Sequence, residues 1–223
     1  MVCANLNYIV SYLKNSMYTP SSFKEENPEI LFHLIEEYNF GILFSQHQER
    51  PEATHLPFLV HREKGPQGSL IAHFAKANKH WKSFDESKEV LAVFQGPHTY
   101  ISPAWYKNRA EVPTWNYATV HVIGKPKIVT DPGDLTEMVT ELTHFHEKPE
   151  HSDWKLDEVP KKEFDTDLKA IVGLVIEITK IEGKFKFNQN KSTEDQQSVI
   201  NKMDSLGRTD ISSIMKNNLH SKK

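Results

Sequence analysis

The chain has 223 residues, with 27 Lys and Arg against 30 Asp and Glu for a net charge of −3, and 38% of them are hydrophobic. That length suits one domain with a small appendage. So slight a negative charge speaks against a protein held on nucleic acid mainly by phosphate contacts. No stretch reaches the roughly 18 charge-free apolar residues of a membrane span. The single cysteine, Cys3, has no partner for an internal disulfide. The first 13 residues are uncharged but lack the basic start and small-residue cleavage site of a secretory signal. A reducing, cytoplasmic setting is expected. Histidine is the anomaly, with 12 residues in the chain.

Residues 1–16 read as an extension in which Leu6, Ile9, Val10 and Leu13 share one helical face. Ser22 with Glu25 resembles a capping box, and Pro28 suits an early helical position, so a helix is expected to about Tyr38. Its buried stripe is Ile30, Leu31, Leu34 and Ile35. From Phe40 the pattern turns to strands: Phe40–Phe44, then Leu56, Phe58 and Val60 in alternation. The turn at 65–68 precedes a strand at Leu70–Phe74. A short helical piece, Asn78–Phe84, leads to the apolar run Val90–Phe94. Residues 96–113, rich in Pro and aromatics, read as a long ordered loop. Trp115–Ile123 and Lys125–Val129 read as two strands separated by Gly124. Asp134 caps a helix to about His146, residues 147–163 read as a loop, and Leu168–Ile178 is the strongest strand signal. A helix follows Thr193. After Leu206 comes a basic tail, 207–223, with Ile211, Ile214 and Met215 at helical spacing. About seven short strands with flanking helices favour a mainly β, α+β molecule built on a small closed or split barrel.

Phosphate-binding glycine loops and a Gly-x-Ser-x-Gly elbow are absent from the sequence. His144 and His146 with Glu147, Glu150 and His151 offer metal-binding side chains. Two residues apart on a helix, however, the imidazoles diverge by about 200°, and no metal site is assigned. Thr54-His55-Leu56-Pro57 and the block from Ala72 to Trp81 place two strand ends beside a cationic, amide-bearing turn, suited to an anion such as phosphate. The alternative there is a satisfied core histidine plus an exposed lysine. The stretches Phe94–Tyr106 and Val112–Tyr117 mix aromatics, histidines and prolines into a wall for a planar ligand, or else a packing or dimer contact.

Thr54-His55-Leu56-Pro57, the block from Phe94 to Tyr106, Val112-Pro113-Thr114-Trp115-Asn116-Tyr117, Ile171-Val172-Gly173 and Asn188-Gln189-Asn190 together resemble PaiB-type proteins. The resemblance starts at Met17-Tyr18-Thr19-Pro20 and runs through most of the chain, with the domain at 17–206. These proteins belong to the FMN-binding split-barrel superfamily, relatives of pyridoxamine phosphate oxidase and flavin reductases. The resemblance implies a homodimer with an FMN groove at the subunit interface. It also implies a negative regulator of transcription that responds to flavin or another small ligand. An FMN-dependent oxidoreductase of the nicotinamide-linked or oxidase type is the alternative. A haem-binding split barrel, with an imidazole as axial ligand, is a third reading.

The same resemblance implies cofactor contacts from Thr54, His55 and Leu56, from His73 and Phe74, and from Lys76, Ala77 and Asn78. Lys76 would be the phosphate's charge partner and Asn78 a hydrogen-bond donor to phosphate or ribityl oxygen. Trp115 and Asn116 would come from the partner strand or loop to line the flavin edge; apart from the resemblance, Trp115 is expected to be buried. Lys79 stands where the family pattern has a proline, and the paired Arg/Lys phosphate clamp of the oxidase branch is missing, which implies a weakly held flavin. Direct DNA contact has little support in the charge, and the tail after Leu206 is the basic segment left to make it.

Overall fold

The computed structural model describes residues 17–47 and 50–220, so the 1–16 extension lies outside the described residues. Eight strands are described: β1 (Lys24–Glu25), β2 (Phe40–His47), β3 (Arg50–Pro57), β4 (Leu59–His61), β5 (Ser69–Ala75), β6 (Val90–Ile101), β7 (Thr114–Val129) and β8 (Ile171–Lys186). They form one antiparallel sheet in the order β3-β2-β6-β7-β8-β5-β4, with β1 pairing β8. β3 and β5 approach each other across the curled sheet, as in a split barrel.

Alternation sets the inside of the barrel. On β7, Ala118, Val120 and Val122 are buried while Thr119 and His121 between them face outward. Leu43, Phe58, Leu70, Phe74, Phe94, Leu174 and Ile176 complete the interior. β5 is buried on both faces, because Ile71 packs outside the barrel against Met138 and Leu142.

Five helices among the described residues cover the sheet: α1 (Pro28–Glu37), α2 (Pro132–Glu150), α3 (Lys161–Lys169), α4 (Thr193–Ser205) and α5 (Thr209–His220). α1 begins at Asn27, whose side chain accepts from the Glu29 N–H at 3.0 Å, with Pro28 in the first turn. The cap is therefore not Ser22, which lies in a 3₁₀ turn ahead of β1. α2 is capped by Asp131, whose carboxylate accepts from Gly133 and Asp134, so Asp134 lies inside the first turn. α2 lies close on β8: a Cβ on Gly173 would sit 2.9 Å from Met138 Sδ and 3.0 Å from Leu135 Cδ2.

Three further expectations are corrected. The stretch 96–113 is strand as far as Ile101, because a β-bulge between Gln95 and His98 absorbs Gly96 and Pro97 without ending the pairing with β7. Gly124 does not separate two strands either. β7 runs through it with a register shift at Ile123/Gly124. Residues 147–163 hold the end of α2, a 3₁₀ turn at Leu156–Glu158 and the start of α3. The segment after Leu206 is α5, with Ile211 and Met215 buried against the barrel.

Candidate functional site

β5 ends at Ala75, and the chain reverses over Lys76, Ala77 and Asn78. The Asn78 N–H donates to the Ala75 carbonyl at 2.9 Å, and the Lys76 N–H donates to the Ala170 carbonyl at 2.7 Å. Asn78 then opens the 3₁₀ helix Lys79–Ser83, its Oδ1 accepting from the His80 N–H at 3.0 Å. Its Nδ2 donates to Thr54 Oγ1 on β3 at 3.2 Å. Both ends of the Asn78 amide are thus engaged inside the protein, where they order the turn.

His80 lies beneath this turn and is 5% exposed. Its Nδ1 is 2.8 Å from Thr54 Oγ1 and its Nε2 is 2.8 Å from Ser45 Oγ on β2. The ring packs edge-on to Phe74 and tilted against Phe84. Burial lowers its pKa from the ordinary value of 6.5, opposed in part by Glu52. The imidazole is therefore held neutral, with one donor and one acceptor shared between two hydroxyls. His80 falls in the block from Ala72 to Trp81 but not among the expected cofactor contacts, and it fits the alternative of a satisfied core histidine; Ser45 was not singled out. His80 had a local signal, an Asn two residues earlier that caps its amide; Ser45 had none.

Lys76 and Ala77 are exposed at the tip, as are Lys79 and Lys82 beyond it. The Lys76 ammonium lies 3.5 Å from the Lys169 carbonyl, and no carboxylate lies within ion-pair distance among the described residues. The Trp81 indole N–H donates to the Lys76 carbonyl at 3.2 Å. Lys76 borders a cleft of about 250 Å³ shared with Thr130, Leu135, Asp165 and Lys169. His73 stands opposite Gly173 on the face that α2 covers. Its Nδ1 is buried with no hydrogen-bond partner, and burial holds its pKa below 6.5.

The other predicted residues divide between surface and core. His55 faces outward and stacks on the exposed ring of Phe40, with centroids 6.1 Å apart. Leu56 and Phe74 are core residues, 6% and 1% exposed. Trp115 is 53% exposed, which corrects the expectation of a buried indole. It lies beside Tyr100 and His98 on the outer face of β6 and β7, each ring centroid 6.2 Å away. Asn116, the next residue, points inward and is fully buried, since adjacent strand residues face opposite sides. Two strands, β2 and β6, separate β7 from β3. A single chain therefore brings Thr54 and Asn78 together beside Lys76 and Ala77, while His73 faces α2 and Trp115 lies on another face.

A separate cleft of about 610 Å³ opens beside α2, where His61 Nε2 meets Glu141 at 2.7 Å. Among the described residues, no group of three or more His, Cys, Asp or Glu is placed to hold a metal ion. No described helix is long and apolar enough to cross a membrane.

Residues 17–180 match the protein family described as "Putative FMN-binding domain". The chain is 36% identical to the protease synthase and sporulation protein PAI 2 of Bacillus subtilis, over 84% of this chain and 89% of that protein. An uncharacterised protein of Emericella nidulans is 29% identical, over 86% of this chain and 92% of its own length. Among solved structures, the FAD and heme binding protein of Mycobacterium smegmatis superposes with a TM-score of 0.57 at 13% identity, covering 79% of this chain and 78% of that one. A 5-nitroimidazole antibiotic resistance protein of Bacteroides thetaiotaomicron, so titled as putative, gives 0.53 at 10% identity, covering 72% and 85%. At such identities the structural likeness shows the fold alone. The sequence family and the barrel agree: the chain belongs to the PaiB-type family of FMN-binding split-barrel proteins.

Proposed function

We propose that the chain binds FMN with its phosphate at the Lys76 turn and acts, as a homodimer, as a flavin- or small-ligand-responsive negative regulator of transcription. The observation that carries this reading is the turn itself. An exposed ammonium with no carboxylate partner among the described residues tops a loop that is tied down by Asn78 and Thr54. A cation held in that way suits a phosphate dianion. Bound flavin supplies electron or hydride transfer; the residues of this chain supply charge, orientation and exclusion of water. An absorbance spectrum of the purified protein followed by FMN titration tests the cofactor. A chain that neither carries nor takes up flavin overturns this reading.

The homodimer is supported by the aromatic face of β6 and β7. Trp115 and Tyr100 are 53% and 45% exposed there, a face that a second copy would cover. Regulation through direct DNA contact is not favoured, because the two cations among the described residues of the C-terminal segment are paired. Arg208 pairs with Asp210 at 3.0 Å and Lys216 with Asp204 at 2.9 Å. The regulatory signal would pass through ligand state and a protein partner. A gel-shift at low and at physiological salt separates the two routes, since salt-sensitive retention of DNA would restore direct contact.

The oxidoreductase alternative draws on the same exposed aromatic face, which leaves room for a planar donor beside a flavin. Anaerobic addition of reduced nicotinamide nucleotide to the flavin-loaded protein decides it. Bleaching of the flavin absorbance would favour the enzyme.

A further inference from the structure

His80 is buried, lies outside the predicted contact residues, and reaches the expected ligand surface only through Thr54 and Asn78. Its connections are unusual in reach. One imidazole bridges Ser45 on β2 and Thr54 on β3, each at 2.8 Å, while its own N–H is capped by Asn78 at 3.0 Å. Asn78 in turn donates to the same Thr54 hydroxyl at 3.2 Å. At the other end of the short helix, Ser83 Oγ lies 2.7 Å from the His80 carbonyl and 3.0 Å from Glu52 Oε2 on β3. Phe74 and Phe84 hold the ring from its sides, with centroids 5.9 and 5.0 Å away.

We infer that His80 is a positioning residue that sets the Lys76–Asn78 turn at a fixed height above β3, so that the turn meets a phosphate already ordered. The inference rests on the proposed flavin reading. It adds that affinity for the phosphate depends on a buried group that never contacts it. The physical reason is entropic. A short exposed turn carrying three lysines within seven residues (Lys76, Lys79, Lys82) would otherwise sample many shapes, and ordering it on binding would cost affinity. Each of the two hydroxyl partners can complete either role of the neutral ring, so the network closes without an unpaired buried polar atom on His80.

The test compares FMN with riboflavin, which lacks the phosphate, by flavin fluorescence quenching on the full chain. His80→Phe keeps the ring packing and removes both side-chain hydrogen bonds; Ser45→Ala removes one of them from the β2 side. We expect His80→Phe to weaken FMN binding about tenfold and Ser45→Ala by a smaller factor, with riboflavin affinity within about twofold of wild type. A readout independent of flavin is hydrogen exchange of the Trp81 indole, which donates to the Lys76 carbonyl. It should exchange faster in His80→Phe. Equal losses for FMN and riboflavin, or an unchanged Trp81 exchange rate, would overturn the positioning role. Should His80→Phe fail to fold, Ser45→Ala carries the same comparison. Failure of the wild-type chain to bind FMN would instead overturn the flavin reading. The Trp81 exchange would still report whether His80 orders the turn.

Discussion

Asn116 donates from its buried side chain to Asn188 Oδ1 at 2.5 Å, tying the central strand β7 to the bend that leads into α4 and α5. Asn188 sits at φ 64°, a left-handed conformation that Asn tolerates better than most residues. Its Nδ2 donates onward to the Tyr106 hydroxyl at 2.6 Å, and Asn116 Nδ2 also lies 3.7 Å from Met215 Sδ on α5. The residue expected to line the flavin edge thus holds the C-terminal helices on the barrel. Asn116→Ala leaves Asn188 short of a partner in the interior and should cost about 1–3 kcal/mol. Urea unfolding followed by circular dichroism measures it, and a loss under about 0.5 kcal/mol would contradict this role.

Trp115 carries the opposite expectation. Half exposed, it makes side contacts to Tyr100 and His98 rather than filling the core. Trp115→Ala should lower the stability of the isolated subunit by only about 1 kcal/mol, against about 3–5 kcal/mol for a buried ring. If the aromatic face is covered by a second copy, the same variant should shift the dimer toward monomer in sedimentation analysis.

Lys76 is exposed, and its ammonium lies 3.5 Å from the Lys169 carbonyl. Lys76→Ala should change the melting temperature by no more than about 2 °C. FMN affinity should fall about tenfold through loss of a charge-assisted contact. Calorimetric titration with FMN, paired with thermal melts, separates the two effects.

Gly124 lies where β7 shifts register against β8. A Cβ there would collide with the Glu177 carbonyl oxygen and lie 2.6 Å from Ile176 Cγ2. Gly124→Ala forces the backbones of the two longest strands apart and should destabilise the protein by about 1–3 kcal/mol. Gly207→Ala offers a contrast: φ is 70° there, but no atom lies within 4 Å of the added Cβ. Backbone strain alone should cost about 1 kcal/mol. Denaturant midpoints compare the pair.

His73, His80 and His121 all have folded pKa values lowered from 6.5, in each case chiefly by burial. Glu52 and Glu182 oppose the shift at His80 and His121. The unfolded chain therefore takes up these protons more readily than the folded one. The stability tied to the neutral rings is fully present above about pH 6.5 and is lost as pH falls through the lower folded values. Melting temperatures should be flat from about pH 7 to 8 and drop as acidification proceeds below about 6.5. A stability that rises on acidification through that window would show that the rings are not held neutral.

Local patterns were enough for most of the elements, though not all their bounds, and for the family. The 3.6-residue spacing of Leu31, Leu34 and Ile35 produced α1, although Ile30, expected in the same buried stripe, is exposed; the alternation on β7 produced a strand with one buried face, and several motif blocks in order pointed to the split barrel. The exposure of Lys76 also followed from its place in a turn between periodic segments. What the sequence could not determine was which side chains satisfy one another across the sheet. Ser45 meets His80 over a separation of 35 residues, and Asn116 meets Asn188 over 72. Bulges also lay beyond local reading. Pro97 and Gly124 look like strand breakers, and they remain inside β6 and β7 because the pairing strand accommodates one irregular step. Tertiary structure alone decided that Trp115 faces out while Asn116 faces in. A one-residue change of face is set by strand register, and register is fixed by which neighbours the strand pairs with.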